Sequence, residues 1–88
     1  MLRTLAEIRF AMGDREPALE LFGRAVLIYR ELGSWIDEDR ALDLQADALV
    51  MAGRKADAVA ALERVMALRE LMGGMGLAEV RDRLESLR

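Results

Sequence analysis

The side chains that could carry out chemistry are few in this sequence, and nearly all of them are carboxylates and guanidiniums. The chain of 88 residues contains no His and no Cys. Its only hydroxyl groups besides Tyr29 are Thr4, Ser34 and Ser86. A nucleophilic hydrolase needs a base beside its nucleophile, and here acid–base catalysis would fall to carboxylates alone. We therefore predict that the chain is not an enzyme and uses no cofactor.

Acidic residues are concentrated in one stretch of the chain, at Asp37, Glu38, Asp39 and Asp43. Carboxylates grouped in this way can bind a divalent cation, but calcium loops place them at alternating positions around a turn glycine. This stretch lacks that pattern, and carboxylates at the start of a helix are already favoured by the helix dipole. We therefore predict a solvated helix start here and no metal site.

Residues 73–76 read Gly-Gly-Met-Gly, a composition that also occurs in phosphate-binding loops. The stretch lacks the Gly-Lys-Ser/Thr ending of such a loop and follows a helix instead of a strand. We interpret it as a hinge between helices. Met72 and Met75 beside it are expected to fill the core, with adaptable contacts to a partner as the alternative.

Charge and hydropathy narrow the possible partners and the compartment. The net charge is −3, and both signs are mixed along the chain. This pattern indicates neither nucleic acid nor an anionic membrane surface as a partner. No apolar run is long enough to cross a bilayer, and the N-terminus lacks a signal-peptide pattern. A cytoplasmic location is the expectation.

Apolar residues at helical spacing predict five helices. Ser34 and Asp37 have the spacing of a capping box at the start of the third helix, and Gly33 fits the left-handed position that follows the second. The third helix is apolar on more than one face, which is typical of a helix buried between neighbours. The predicted helices cover residues 1–12, 14–32, 34–52, 56–72 and 77–87.

The helices are organised as two copies of one pattern, because Gly53 follows Gly13 by 40 residues. A fixed period of this size is typical of a stack of similar helical units. The first copy consists of Gly13, Ala18, Phe22, Ala25 and Gly33, and the second of Gly53, Ala58, Leu62, Val65 and Gly73.

This pattern of Gly, Ala, a large apolar residue and a small residue resembles the tetratricopeptide repeat. The 40-residue period is longer than the family's usual value of about 34, and it is similar to the variety found in bacterial regulatory and signalling proteins and in kinesin light chains. Val65 departs from the family's small residue. The resemblance implies an all-α, right-handed helical solenoid with two helix-turn-helix repeats, at about 1–33 and 34–73, and a capping helix at about 77–88.

The resemblance also implies a protein–protein interaction module, either a scaffold or a regulatory domain, which could form the C-terminal part of a longer array. The alternative is a ligand- or partner-sensing fragment of a bacterial transcription regulator or signalling ATPase. In this family the first helix of each repeat lines a concave groove. The corresponding residues here, and our predicted binding site for a protein or peptide, are Arg3, Glu7, Phe10, Asp43, Asp47 and Val50.

The character of these groove residues favours a particular kind of partner. Asp43 and Asp47 stand where repeats that clamp a peptide carboxylate use Lys, Arg and Asn, so such a clamp is not expected. Acidic and apolar groups together favour a basic amphipathic partner. Trp35, between the repeats, is expected to pack on the helix below it, with an exposed anchor for a partner as the alternative.

The first helix carries more apolar residues than one neighbouring helix can cover. Contiguous apolar surface of this kind usually marks an interaction site. We therefore predict a homodimer whose interface is formed by Leu2, Leu5, Ile8 and Met12. A twofold dimer would bury the same residues on both copies.

Overall fold

The computed structural model describes residues 2–13 and 15–87, except for the side chains of residues 2, 3, 6 and 10. These residues form five helices joined by short turns, as the apolar spacing predicts. Each predicted boundary lies within two residues of the observed one. The helices are α1 (Leu2–Ala11), α2 (Arg15–Glu31), α3 (Trp35–Met51), α4 (Lys55–Leu71) and α5 (Leu77–Leu87).

The turns recur at a constant spacing, with glycines at positions 13, 33, 53 and 73 that all have positive φ. Gly33, with φ of 69°, shows what this conformation does. The N–H of Gly33 donates to the carbonyl of Arg30, and the N–H of Ser34 donates to the carbonyl of Tyr29. These two bonds form a Schellman motif, which satisfies the last carbonyls of α2 and reverses the chain. The predicted left-handed position of Gly33 is confirmed.

Each helix packs against the next one along the chain, and α1 also touches α3. Short turns make successive helices antiparallel, so α1, α3 and α5 form one layer and α2 and α4 form the other. The Cα atoms extend 34 × 31 × 16 Å, and the smallest dimension matches two layers of helices. The described chain is an all-α helical repeat solenoid.

The core lies between the two layers and uses equivalent residues in both repeats. Phe22 and Leu62, which are 40 residues apart, are 2% and 0% exposed. Ala18 and Ala58, one turn earlier in their helices, are fully buried and allow the helices to approach closely. The two copies of the sequence pattern therefore place equivalent large apolar residues in the core.

The two ends of the solenoid differ in character. Val80 and Leu84 of α5 are buried against α4, whereas the other side of α5 is charged and exposed. One apolar stripe and one charged side are typical of a helix that covers a core on one side and meets water on the other. At the other end, α1 exposes Leu5, Ile8 and Met12.

The predicted capping box at Ser34 is wrong in its bonding, although Ser34 is the N-cap of α3. The Ser34 side chain makes no capping bond to the backbone. Its hydroxyl instead donates to a carboxylate oxygen of Asp37 at 2.7 Å. The side chains that would cap the backbone in a capping box satisfy each other here.

The packing expected of Met75 is also wrong. Met72 lies against the core, as expected, but Met75 is almost wholly exposed. The turn that contains it is tied back to α4, because Arg69 donates to the carbonyl of Gly76. This bond fixes the turn with Met75 on its outer side.

Candidate partner-binding groove

A groove of about 690 Å³ lies on the face formed by α1, α3 and α5. α3 forms its base, and α1 and α5 form its walls. Phe22 of α2 reaches the bottom between them. The residues that line the groove are Glu7, Phe22, Leu44, Asp47, Val50, Met51, Asp82, Arg83, Ser86 and Leu87.

The base of the groove is apolar and open to solvent. Val50 and Met51 come from the last turn of α3 and are 42% and 58% exposed. α3 is therefore not covered on every face, although its apolar residues on more than one face predict a helix buried between neighbours. Exposed apolar groups in a concave site with a few polar groups are typical of binding surfaces.

The structure brings together half of the groove residues predicted from the sequence. Glu7, Asp47 and Val50 line the groove, and Asp43 lies one turn before Asp47 on α3. The side chains of Arg3 and Phe10 are outside the described residues.

Arg83 of α5 is a groove residue that the sequence reasoning missed. It forms ion pairs with Asp43 and Asp47, which are one helical turn apart on α3. Within the described residues, the backbones of α3 and α5 are not in contact, so Arg83 links them across the groove. A signal was present in the sequence, because Arg83 follows Asp43 by 40 residues and has the opposite charge at the equivalent position.

The groove remains acidic even with this arginine present. Glu7, Asp43, Asp47 and Asp82 contribute four carboxylates, and Arg83 contributes one guanidinium. The net charge of this set is −3. Asp43 and Asp47 are paired with Arg83, whereas the exposed Glu7 and Asp82 are available to a cation that enters the groove.

The acidic stretch at the start of α3 is not the solvated helix start that the sequence predicts. Glu38 is completely buried, and Asp39 is 7% exposed. Asp39 pairs with Arg69 of α4 at 3.1 Å. The prediction fails because the helix dipole is a local effect, whereas these carboxylates are held by arginines from other helices.

Glu38 lies between two arginines from the outer layer. Its Oε2 atom accepts a bond of 3.0 Å from Nε of Arg30 and one of 2.9 Å from Nε of Arg64. Burial alone would raise the pKa of Glu38, but the bonds from Arg64 and Arg30 outweigh it and hold the pKa below the ordinary value. The bond to Glu38 likewise raises the pKa of Arg64. The cluster joins α2, α3 and α4.

Trp35 is not packed as a staple on the helix below it, since it is 45% exposed. It lines a shallow depression with Ile36 and Met72, where α3 begins and α4 ends. The exposed position agrees with the alternative that the sequence left open.

The residues predicted for self-association are exposed where the structure describes them. Leu5, Ile8 and Met12 are 42%, 52% and 70% exposed, and the side chain of Leu2 is outside the described residues. The apolar surface required by the dimer prediction is therefore present on α1.

The structure also provides observations on metal binding and on membrane-spanning helices. Among residues 2–13 and 15–87, no group of three or more His, Cys, Asp or Glu side chains could hold a metal ion. None of the described helices combines the length and the apolar character needed to cross a membrane.

The repeat geometry and the concave groove agree with the comparison with known families. A family model described as tetratricopeptide repeat matches residues 1–70, and the chain belongs to this family. No curated protein and no solved structure is significantly similar to it. Tetratricopeptide repeats are in general non-catalytic modules that bind proteins or peptides, and they use the concave surface of the solenoid to do so.

Proposed function

We propose that this domain is a scaffold or regulatory module that binds a basic amphipathic helix of a partner protein in the groove between α1, α3 and α5. The observation that carries the proposal is the exposure of Val50 and Met51 at the base of an acidic groove. Helix-in-groove recognition buries the apolar face of a helix and leaves its polar face at the rim.

The two parts of the groove have different roles in this proposal. The apolar base supplies affinity, because complete burial of an exposed Met or Val side chain contributes about 1.5–3 kcal/mol and about half of each side chain is still exposed here. Met51 is also flexible enough to adapt to different partner side chains. The carboxylates of Glu7 and Asp82 select Lys and Arg over acidic residues through charge complementarity.

The proposal is tested by titrating the domain with a Leu/Lys amphipathic peptide of about 15 residues, near the length at which isolated helices become stable. Isothermal titration calorimetry should detect binding, and a Leu/Glu peptide of the same pattern should not bind. Equal binding of both peptides would show that the acidic rim does not select the partner.

Two matched variants locate the binding site. Met51→Gln should weaken binding of the Leu/Lys peptide about tenfold, because one apolar contact at the base is lost. Leu71→Gln is the control, since Leu71 is 59% exposed, against 58% for Met51, and lies outside the groove. If both substitutions have the same effect, the peptide does not bind in the groove.

We further propose that the domain pairs with a second copy of itself through α1. The support is the exposed apolar row Leu5, Ile8 and Met12, which lies on a helix that packs mainly against α2. The outer side of α5 is charged and offers no comparable surface. A twofold arrangement would place the same row of each copy against the other.

A further inference from the structure

A second groove lies on the opposite layer, between α2 and α4. Within the described residues no Cα atom of α2 comes within 8 Å of one in α4. The space between the helices is therefore open, with a volume of about 730 Å³. α3 forms the base through Leu42, Gln45 and Leu49. The partner proposed above does not use this groove.

The charges in this outer groove are separated along its length. α2 and α4 run in the same direction, so residues early in both helices lie at one end. That end holds Arg54. Its Nη2 atom is 2.9 Å from Oδ2 of Asp57, and its Nη1 atom is 3.8 Å from Oε2 of Glu16. The other end holds Arg30 and Arg64, both of which line the groove.

The two arginines at this second end carry more positive charge than is needed to neutralise the buried Glu38. One guanidinium neutralises Glu38, and the second leaves the cluster with a net charge of +1. Both arginines use Nε to bind Glu38, and Arg64 adds a longer bond of 3.4 Å from Nη2. Both Nη groups of Arg30 and Nη1 of Arg64 have no partner among the described residues.

Glu38 fixes these free donors in place while leaving them accessible. The Glu38 side chain is 0% exposed, whereas those of Arg30 and Arg64 are 44% and 38% exposed. A planar guanidinium held at Nε presents its Nη groups as a fork that matches a carboxylate or phosphate. Arg30 presents such a fork, Arg64 presents its free Nη1, and both are anchored on one buried carboxylate at the same end of the groove.

The middle of the groove has room for a polypeptide backbone. Gly23 is in the interior of α2, and a Cβ atom added there would meet only Gln45 Nε2, at 3.7 Å. Gln45 is partly buried, faces this space and has no hydrogen bond among the described residues. A glycine beside a free amide allows close backbone approach and offers a donor and an acceptor to a peptide group.

We propose that Arg30 and Arg64 form an oxyanion site for a peptide that lies in the outer groove, bound through its terminal carboxylate or a phosphorylated side chain. The Nη groups of Arg30 and Nη1 of Arg64 hold the oxyanion, Gln45 contacts the peptide backbone beside Gly23, and the adjoining Val26 and Leu27 contact its apolar side chains. This site is separate from the groove between α1, α3 and α5, and either can fail without the other.

The site is tested first with inorganic phosphate as the probe, by thermal denaturation at constant ionic strength with phosphate replacing chloride. A ligand that binds only the folded state raises the melting temperature, and at a given concentration a tighter ligand raises it more. Arg30→Gln should weaken phosphate binding about tenfold, because charge-assisted hydrogen bonds are lost. Arg54→Gln, the same change at the other end of the groove, should leave phosphate binding unchanged.

Glu38→Gln separates an anion site from a purely structural cluster. It removes the neutralising charge and leaves both guanidiniums, so phosphate should bind more tightly than to the unmodified chain. A purely structural cluster predicts that Arg30→Gln and Glu38→Gln both lower the melting temperature and leave the response to phosphate unchanged. That result, or equal losses of phosphate binding from Arg30→Gln and Arg54→Gln, would overturn the proposal.

The source of the oxyanion is distinguished with three forms of one apolar peptide: a free carboxylate terminus, a terminal amide, and a terminal amide with one phosphoserine. Binding measured by fluorescence anisotropy should require an oxyanion, and the form that binds more tightly identifies its source. Equal binding of the unphosphorylated amide would show that Arg30 and Arg64 do not recognise an anion.

Discussion

Removing both arginines around Glu38 should be far more damaging than removing Glu38 itself. In the variant with Arg30→Met and Arg64→Met, a completely buried carboxylate is left without a counter-charge. Leaving a buried charge unpaired costs about 3–5 kcal/mol. A chain of 88 residues has a total stability of about 4–13 kcal/mol, so this loss is a large fraction of the free energy of unfolding.

The other members of the series should lose less. Arg30→Met alone should cost about 1 kcal/mol, because Arg64 still pairs Glu38 and Arg30 is partly hydrated. Glu38→Met should cost about 1–2 kcal/mol, because the two guanidiniums it strands can be hydrated. Replacing all three by Met should recover most of the stability, since buried ion clusters often give way to apolar residues at little cost.

The effect of pH distinguishes this explanation from simple loss of packing. In the unmodified chain the folded-state pKa of Glu38 is lowered, with burial opposed by the bonds from Arg64 and Arg30. Its stabilising contribution is therefore present above the ordinary glutamate pKa of about 4.3 and is lost as the pH falls through the lower folded-state value. In the double arginine variant only burial remains, so the pKa is raised and acid should reduce the deficit.

Urea denaturation of the four variants and the unmodified chain, at about pH 7 and about pH 4, measures these differences. The expected order of loss at about pH 7 places the double arginine variant first. If it loses no more stability than Glu38→Met, or if its deficit does not shrink in acid, Glu38 is not a buried anion held by these arginines.

Three further predictions concern the core, the α1 surface and the outer groove. Phe22→Ala should cost about 3–5 kcal/mol in urea denaturation, because a buried ring is replaced by a cavity; a loss below about 1 kcal/mol would place Phe22 outside the core. Leu5→Glu or Ile8→Glu should shift a dimer towards monomer in analytical ultracentrifugation, while Leu71→Glu, at an exposed apolar residue outside α1, should not, and an unmodified chain that sediments as a monomer at high micromolar concentration would refute the proposed pairing. Gly23→Ala should stabilise the domain by about 1 kcal/mol, because helix propensity improves and the added Cβ makes ordinary contact with its neighbour; a destabilised variant would show that α2 needs the space.

The helices and their packing order could be predicted because the information for them is local or periodic. Gly33 marks the end of α2 by its own conformational preference, and the helical spacing of apolar residues marks each buried face. Phe22 and Leu62 could be identified as core because the same pattern occurs twice. A regular repeat turns the position of one residue into evidence about another 40 residues away.

The charged contacts could not be predicted in the same way, because each depends on residues from separate helices. The sequence predicts that Glu38 is in water, because it lies in the first turn of α3, where the helix dipole alone favours a carboxylate. Its burial depends on Arg30 and Arg64, which converge on it only after α2 and α4 have packed around α3. The contact of Arg83 is the exception. It could have been predicted, because Arg83 occupies the position equivalent to Asp43 one period later and carries the opposite charge.

The exposed position of Trp35 was also beyond local reasoning. The spacing placed it at the start of a helix, where packing on the neighbouring helix and exposure were both possible. The outcome depends on the position of Met72 just after α4, which lines the same depression as Trp35.

The difference between the two ends of the solenoid limits how copies of this domain can associate. Head-to-tail contact would place the apolar row of α1 against the charged outer side of α5, and would leave those charges without water. Face-to-face contact of two α1 helices avoids this loss. It also limits the assembly to two copies, because the same apolar row is buried on both. If copies pair through α1 as proposed, the assembly stops at two copies and does not extend into the open-ended filaments that head-to-tail contact can form.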